Sequence, residues 1–389
     1  MTDRTNTERV RSIDRTTFFE WLDPRTKPAR HKFGLIGLGF LAVLPTVLTP
    51  LQALTVASAF FMALFAMSWD AVSGYTGQIS LGHGVFFTAG GYTSTLLNLE
   101  FGLDPLLTIP LGVVVAVLAG LLIGIPTLRL RGPYFALVTL IAPLILLRIF
   151  VVYSDILGGA TGLPRPDQLF GLQAGDAIVT YYVAFGLFVV VLIVLLAVTR
   201  SDAGAVFTAI RQSEDAVSSA GLNPAKFKIF AFTLSAAVGG LAGAAFVHLP
   251  VGSPTPSSLL TLFVNVEIII AAMIGGVGTI VGAAIGGMIL VLLREFLSNL
   301  AVTVPVLGVS LAEVDTIVFA IVTIGIVYYY PDGLLRSTIT LGRRIRAWGA
   351  SKSNDRSRLS RRQPRETAAT SEETVNEGNQ KHGGNGNER

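Results

Sequence analysis

The sequence has no cysteine and only 4 histidines in 389 residues. Without cysteine there can be no disulfide, no thiolate nucleophile and no Cys-ligated zinc or iron–sulfur centre. Four scattered histidines leave little material for any other metal site. Charge is scarce as well. Asp, Glu, Lys and Arg make up 14% of the chain, against about 25% in ordinary soluble domains. No paired carboxylates, His-rich run or nucleophile motif is found, so an enzyme site is not written here. A G-x-x-x-x-G-K-[ST] phosphate loop is also missing, which excludes ATP hydrolysis by that route. Energy for uphill work must come from a partner or from an ion gradient.

What is abundant is apolar. Hydrophobic residues are 51% of the chain and the mean hydropathy is +0.64. This composition predicts an all-α polytopic membrane protein. A span needs about 20 apolar residues. Such stretches fall at 33–49, 51–72, 80–98, 105–126, 134–152, 179–199, 228–250, 262–275, 279–296 and 311–330. The eighth and ninth are short enough to be two full helices or a re-entrant pair. Lys and Arg mark the cytoplasmic side. They cluster at Arg129 and Arg131, at Arg200, Arg211, Lys226 and Lys228, and in both tails. Ten crossings with both termini inside satisfy every loop. Three regions follow: a basic cytoplasmic tail at 1–32, a membrane domain at 33–336, and a polar, Ser/Asn/Glu/Arg/Gly-rich C-terminal tail at 337–389 that reads as disordered. The tails read as solvated, with anionic lipid as an alternative partner. Nothing in them suggests nucleic-acid recognition.

Two glycine-rich breaks interrupt the apolar pattern, Gly74–Gly84 and Gly275–Gly287. One lies in each half, a pattern that allows an inverted five-plus-five repeat. Irregular backbone at membrane depth survives only where protein buries it or water reaches it. Gln78, Ser80 and His83 are therefore candidates for a translocation path, or for a tight loop satisfied locally. Glu267 is a carboxylate inside an apolar stretch, which is a functional candidate by default; its plainer role is an ion pair to a neighbouring helix. Gly278, Gly282 and Gly286 recur every four residues, and their leading role is close helix packing.

The loop 200–227 holds an amphipathic pattern. Ser201 or Asp202 can cap its start, and Gly221 with Pro224 can end it. Val206, Phe207, Ile210 and Val217 share one face, while Arg211 and Asp215 are spaced for an i, i+4 pair. A helix of this kind lies on a membrane surface or sets its apolar face in a groove on a partner.

Six blocks in order resemble the permease subunits of branched-chain amino-acid ABC importers, a family that includes urea and short-amide permeases. They are Gly74–His83, Leu128–Ala136, Gly158–Leu163, the Ala209-Ile210-Arg211 loop, Glu267 with Gly275–Gly282, and Tyr330–Leu334. The resemblance in order and spacing extends from about residue 35 to 336. The resemblance implies a multi-pass plasma-membrane subunit that moves branched-chain amino acids or a related small polar solute by alternating access. It implies separate cytoplasmic ATP-binding subunits, which would hold ATP and Mg, and no cofactor in this chain. It also implies a second related permease or a homodimer, and an external substrate-binding protein. Gly204, Ala209, Arg211, Glu214, Ala216 and Gly221 match the family's coupling loop. Gly221 stands seven residues after Glu214 where the wider pattern has six, and Asp215 replaces an alanine. Thr161, in the third block, joins the candidate path. An ion-driven secondary transporter is the alternative, and it would need several intramembrane carboxylates.

Overall fold

The computed structural model describes residues 29–127 and 133–299, with a few positions between 303 and 334. The N-terminal tail up to residue 28, the C-terminal tail, and the tenth predicted span apart from scattered positions lie outside the described residues. The helices are α1 (Ala29–Val43), α2 (Pro50–Trp69), α3 (Gly84–Phe101), α4 (Pro105–Thr127), α5 (Pro133–Val152), α6 (Ser154–Leu157) and α7 (Ala177–Thr199). Then come α8 (Asp202–Gln212), α9 (Glu214–Ser219), α10 (Pro224–Val247), α11 (Pro256–Leu259), α12 (Leu262–Gly275) and α13 (Ile280–Ser298). A two-residue antiparallel pairing joins β1 (Thr303–Val304) to β2 (Val309–Ser310). Seven helices among the described residues are long and apolar enough to cross a membrane. The chain is a polytopic all-α membrane protein.

Apolarity and burial run in opposite directions. The central window of α7 has a mean hydropathy of 2.9 and is 28% buried, whereas that of α2 has 1.7 and is 67% buried. Lipid-facing surface must be apolar, while helix–helix interfaces favour small residues. Thus α2, rich in alanine, and α10, rich in alanine and glycine, form the centre. The strongly aliphatic α4, α5 and α7 form the rim. Backbones meet closely in the middle: a Cβ on Gly243 would lie 1.9 Å from the Phe87 carbonyl oxygen, and one on Gly240 would lie 2.2 Å from Ala116 Cβ.

Pro45 sets the end of α1. It has no N–H for the Leu41 carbonyl, and the chain turns into a 3₁₀ segment at Leu44–Thr46. The freed acceptors are taken by α7: Tyr181 donates to Leu41 O at 2.6 Å and Tyr182 to Ala42 O at 3.0 Å.

The eighth and ninth apolar stretches, for which the sequence allows two arrangements, form two helices, α12 and α13, joined by a turn at Gly276–Thr279. Two expectations are corrected. The third span begins at Gly84 rather than residue 80, because 77–83 is irregular. The loop 200–223 is not one helix. It breaks at Ser213, which ends α8 and caps α9 by accepting from Ala216 N at 3.2 Å. Arg211 and Asp215 therefore do not share a helix.

Candidate functional site

One end of the bundle gathers four of the sequence blocks: the first break, the second break, the loop α8–α9, and Gly333 near the C-terminal side. It is called the loop end below. Helix α2 approaches it and widens into a π-helical turn over Asp70–Gly74; such turns are rare and frequent at functional sites. The Arg211 guanidinium reaches inward from α8, and its Nη1 donates to the Gly74 carbonyl at 2.6 Å. The Gly278 amide donates to Asp70 Oδ1 at 2.7 Å. Gly278 has a φ of +80°, and a Cβ there would lie 2.5 Å from Arg211 Nη1. Gly333 closes the far side, with its own added Cβ 2.3 Å from Gly276 Cα. Arg211 thus touches both breaks at once. This corrects the packing role expected of Gly278: it sits in the turn, not on the helix face. Gly282 and Gly286 do pack, against Gly275 and Ala271 of α12.

From this end the chain runs up to mid-depth before α3 starts. Gly84 N donates to Asn265 Oδ1 at 2.7 Å, and Asn265 lies ten residues, about 15 Å, from the loop-end terminus of α12. Irregular backbone at such depth needs partners, and each comes from a different element. Ser80 O accepts from Trp69 Nε1 at 2.7 Å, and Ser80 N donates to Ser73 Oγ at 3.1 Å. Leu81 N donates to Thr139 Oγ1 at 3.1 Å. His83 is fully enclosed, with Nε2 at 2.7 Å from Ser68 Oγ and 3.1 Å from Ser235 Oγ. Those serines also cross-link α2 to α10, each donating to the other's carbonyl. Gln78 Oε1, Ser80 Oγ and His83 Nδ1 have no hydrogen-bond partner among the described residues.

The loop's apolar face is already used. Phe207, Ile210 and Val217 are buried, Phe207 within a cluster with Val72, Phe86, Phe135 and Phe232. Neither a membrane surface nor a partner groove is needed to cover it. The loop exposes Ala205, Thr208, Ala209, Gln212 and Ala216, together with polar residues that include Arg211 and Asp215. Glu214 is held from below by Lys228 of α10, with Oε2 and Nζ 2.6 Å apart and Lys228 3% exposed. Gly204 packs on Thr199 at the end of α7. Gly221 ends α9 with φ +81°, and the bonds Gly221 N to Ser218 O and Leu222 N to Val217 O complete a Schellman turn.

Two candidates lie apart from this centre. Glu267 Oε1 meets Arg294 Nη1 at 2.8 Å across the α12–α13 hairpin, and Arg294 also stacks on Phe263. Thr161 is exposed in the loop at the opposite end and donates to Gly158 O at 2.8 Å. Trp69, Thr139 and Asn265 are not singled out by the sequence, Lys228 enters there only as a mark of the cytoplasmic side, and Asp70 only as an acidic residue near a span end. The available signal was that each is a polar or hydrogen-bonding group inside an otherwise apolar span.

The sequence profile described as "Branched-chain amino acid transport system / permease component" matches residues 51–327. Among curated proteins, the chain is 32% identical to the high-affinity branched-chain amino acid transport system permease protein LivM of Salmonella typhimurium, over 61% of each chain. It is 30% identical to LivM of Escherichia coli over 69% of each. It is also 30% identical to the fructose import permease protein FrcC of Rhizobium meliloti, over 55% of this chain and 61% of that one.

Proposed function

The chain belongs to the branched-chain amino acid transport permease family, and we propose that it is the membrane-spanning subunit of an ATP-driven importer in the plasma membrane. Its solute is a branched-chain amino acid or a close relative. The LivM names favour that class, while the likeness to a fructose permease keeps the scaffold open to other polar solutes. ATP binding and hydrolysis belong to separate subunits at the loop end, which is cytoplasmic because the basic loops lie there. A second, related permease completes the pathway, and an external binding protein delivers the solute.

The carrying observation is the reach of Arg211 to both breaks. A displacement of α8 by an ATPase is passed to the π-turn of α2 through Gly74 and to the α12–α13 turn through Gly278. Those two elements flank the irregular stretch 77–83. Alternating access then requires differential contacts in two states, and these hydrogen bonds are ones that such a displacement would break or re-form. An ion-driven mechanism finds less support. Glu267 is paired with Arg294, and Asp70 already receives the Gly278 amide.

The test is capture of a phosphate-loop ATPase by this chain in mild detergent, together with solute uptake by the reconstituted complex. Replacing exposed Ala209 with Trp should abolish capture. Arg211→Ala should retain capture and lose ATP-driven uptake. Capture of no ATPase in several detergents, with ion-driven uptake by the chain alone, would overturn the reading.

A further inference from the structure

The first break faces a shorter interruption in another span. The span Pro256–Gly275 loses its helix at Leu260 and Thr261, between α11 and α12. The Asn265 side chain, 2% exposed, holds both interruptions. Its Oδ1 accepts from Gly84 N at 2.7 Å, while its Nδ2 donates to Thr261 O at 3.0 Å and to Leu260 O at 3.4 Å. Helices α2, α9, α10 and α12 are capped by the residue just before them, Thr49, Ser213, Asn223 and Thr261. Helix α3 is not. His83 makes no such bond, and the acceptor comes from 181 residues away. The contact also requires glycine at its other end, because a Cβ on Gly84 would lie 2.9 Å from Asn265 Nδ2 and 3.1 Å from Leu259 O. The start of α3 therefore depends on where α12 stands.

The face of α3 that meets this junction is polar and unsatisfied. Gly91 adjoins Leu259 and Val247 there, and Thr88, Tyr92 and Thr95 lie on the same side at i, i+4 and i+7. All three are buried, and none of their hydroxyls has a hydrogen-bond partner among the described residues. Other helical threonines return the hydroxyl to the carbonyl four residues back, as Thr55, Thr127, Thr199 and Thr208 do. Thr88 and Thr95 do not. A buried hydroxyl left unmet is costly, so three groups in this packing favour any arrangement that wets the face.

We propose that Asn265 is a positioning residue for transport: it locks α3 to α12 in this state, and its release lets the seam between α3 and α11–α12 open to water. Helix α12 is a rod of 14 residues, about 20 Å long. Arg211 lies against the turn at its far end, at Gly278. A pull on that turn withdraws Asn265 from Gly84 and uncovers Thr88 and Thr95. The proposal rests on the importer reading, since the pull comes from an ATPase docked at α8.

The chain has no cysteine, so Thr88→Cys and Thr95→Cys each introduce a single thiol. The complete importer is placed in nanodiscs, where both faces meet a water-soluble methanethiosulfonate, and modification of this chain is timed by mass spectrometry with and without ATP. Slow modification without ATP and fast modification during hydrolysis are expected. Asn265→Ala should speed the ATP-free reaction at least about tenfold, the scale of one lost hydrogen bond. It should also lower the leucine taken up per ATP hydrolysed in proteoliposomes. Asn265→Asp, which keeps an oxygen for the Gly84 amide, should restore part of both. Gly84→Ala breaks the contact from the other end and should act like Asn265→Ala. A residue that only packs would lower the melting temperature and leave the response of the thiols to ATP as in the parent; that outcome overturns the proposal. So do parent thiols whose rates ATP does not change, a result that needs no variant at Asn265 to assemble. Leucine uptake by the unsubstituted complex tests the importer reading separately. Where uptake is driven by ATP and the thiols ignore ATP, the importer stands and the lock falls. Where ATP drives no uptake, the importer reading for amino acids falls and takes the lock with it.

Discussion

Arg211 donates to the Gly74 carbonyl at 2.6 Å, and the same guanidinium lies against Gly278, whose amide donates to Asp70 at 2.7 Å. A loop outside the membrane bundle thereby holds two backbone turns that are 204 residues apart in sequence, at Gly74 and Gly278. Neither turn could hold the arginine if it carried a side chain. At Gly74 an added Cβ would fall 2.6 Å from the Gly278 amide nitrogen. The contact therefore depends on glycine twice, once for space and once for a positive φ.

Gly278→Ala tests that dependence. The left-handed conformation costs a residue with Cβ about 1–2 kcal/mol, and the methyl group must also displace Arg211. The protein should melt at a lower temperature in detergent. Uptake should fall further than the melting change accounts for, because the Arg211 contact is lost. Gly37→Ala, where an added Cβ meets nothing, is the matched control and should leave both readings in place.

Glu214 has a structural duty that precedes any docking role. Lys228 is 3% exposed, and Glu214 is the carboxylate paired with it. Glu214→Ala leaves that ammonium desolvated and without this counter-charge, at a cost of about 1–3 kcal/mol. A lower melting temperature is expected, with partial recovery in the double variant Glu214→Ala, Lys228→Met. If the single variant keeps its melting temperature and loses only ATPase capture, the pair is dispensable to the fold.

Much of this arrangement was legible in the sequence, and the failures have physical causes. Helix positions followed from apolar length, and the end of α9 at Gly221 followed from the glycine-then-proline signal. The break at Ser213 was hidden because Phe207, Ile210 and Val217 keep helical spacing across it. The destination of that apolar face was also hidden, since periodicity shows that a face will be buried but not what covers it. The partners of Asp70 and Asn265 were hidden for a related reason. Each is a polar residue in a span, and its meaning lies in a backbone amide far away in sequence, at Gly278 and Gly84.

His248 predicts a pH dependence. It follows the last residue of α10, at the end remote from the loop. Nδ1 lies 2.6 Å from the Asp167 carbonyl and Nε2 2.8 Å from Ser94 Oγ. Donation from Nδ1 to the carbonyl leaves Nε2 to accept from a hydroxyl, of Ser94 or of Thr108 at 3.3 Å. Burial pushes the imidazole below its ordinary range, more than the Asp167 carbonyl, the nearby Asp167 and Asp104 charges and the Ser94 contact raise it. The unfolded chain therefore binds the extra proton first, below about pH 6.5. The contribution is complete above that pH and shrinks as pH falls. Thermal melting at pH 7.5 and 5.5 should show a drop that His248→Gln reduces. An equal drop in that variant would assign it to other groups.

Glu267 was a path candidate from sequence, and its geometry makes a sharper prediction. Its carboxylate is 7% exposed, while Arg294 is 42% exposed and lies over Phe263 at 5.5 Å. The two residues tie α12 to α13 within the halves of those helices remote from Arg211. If that tie is the main role, the charge pair matters and the identity of each partner does not. Glu267→Gln should lower the melting temperature by the loss of one ionic hydrogen bond, about 1.5–3 kcal/mol. Exchanging the residues, Glu267→Arg with Arg294→Glu, should restore part of both stability and uptake. A residue that touches solute would behave differently, because the exchanged pair would put a cation where the solute meets a carboxylate. Recovery of stability without recovery of uptake in the exchanged variant would therefore assign Glu267 to the path, and recovery of both would assign it to the hairpin.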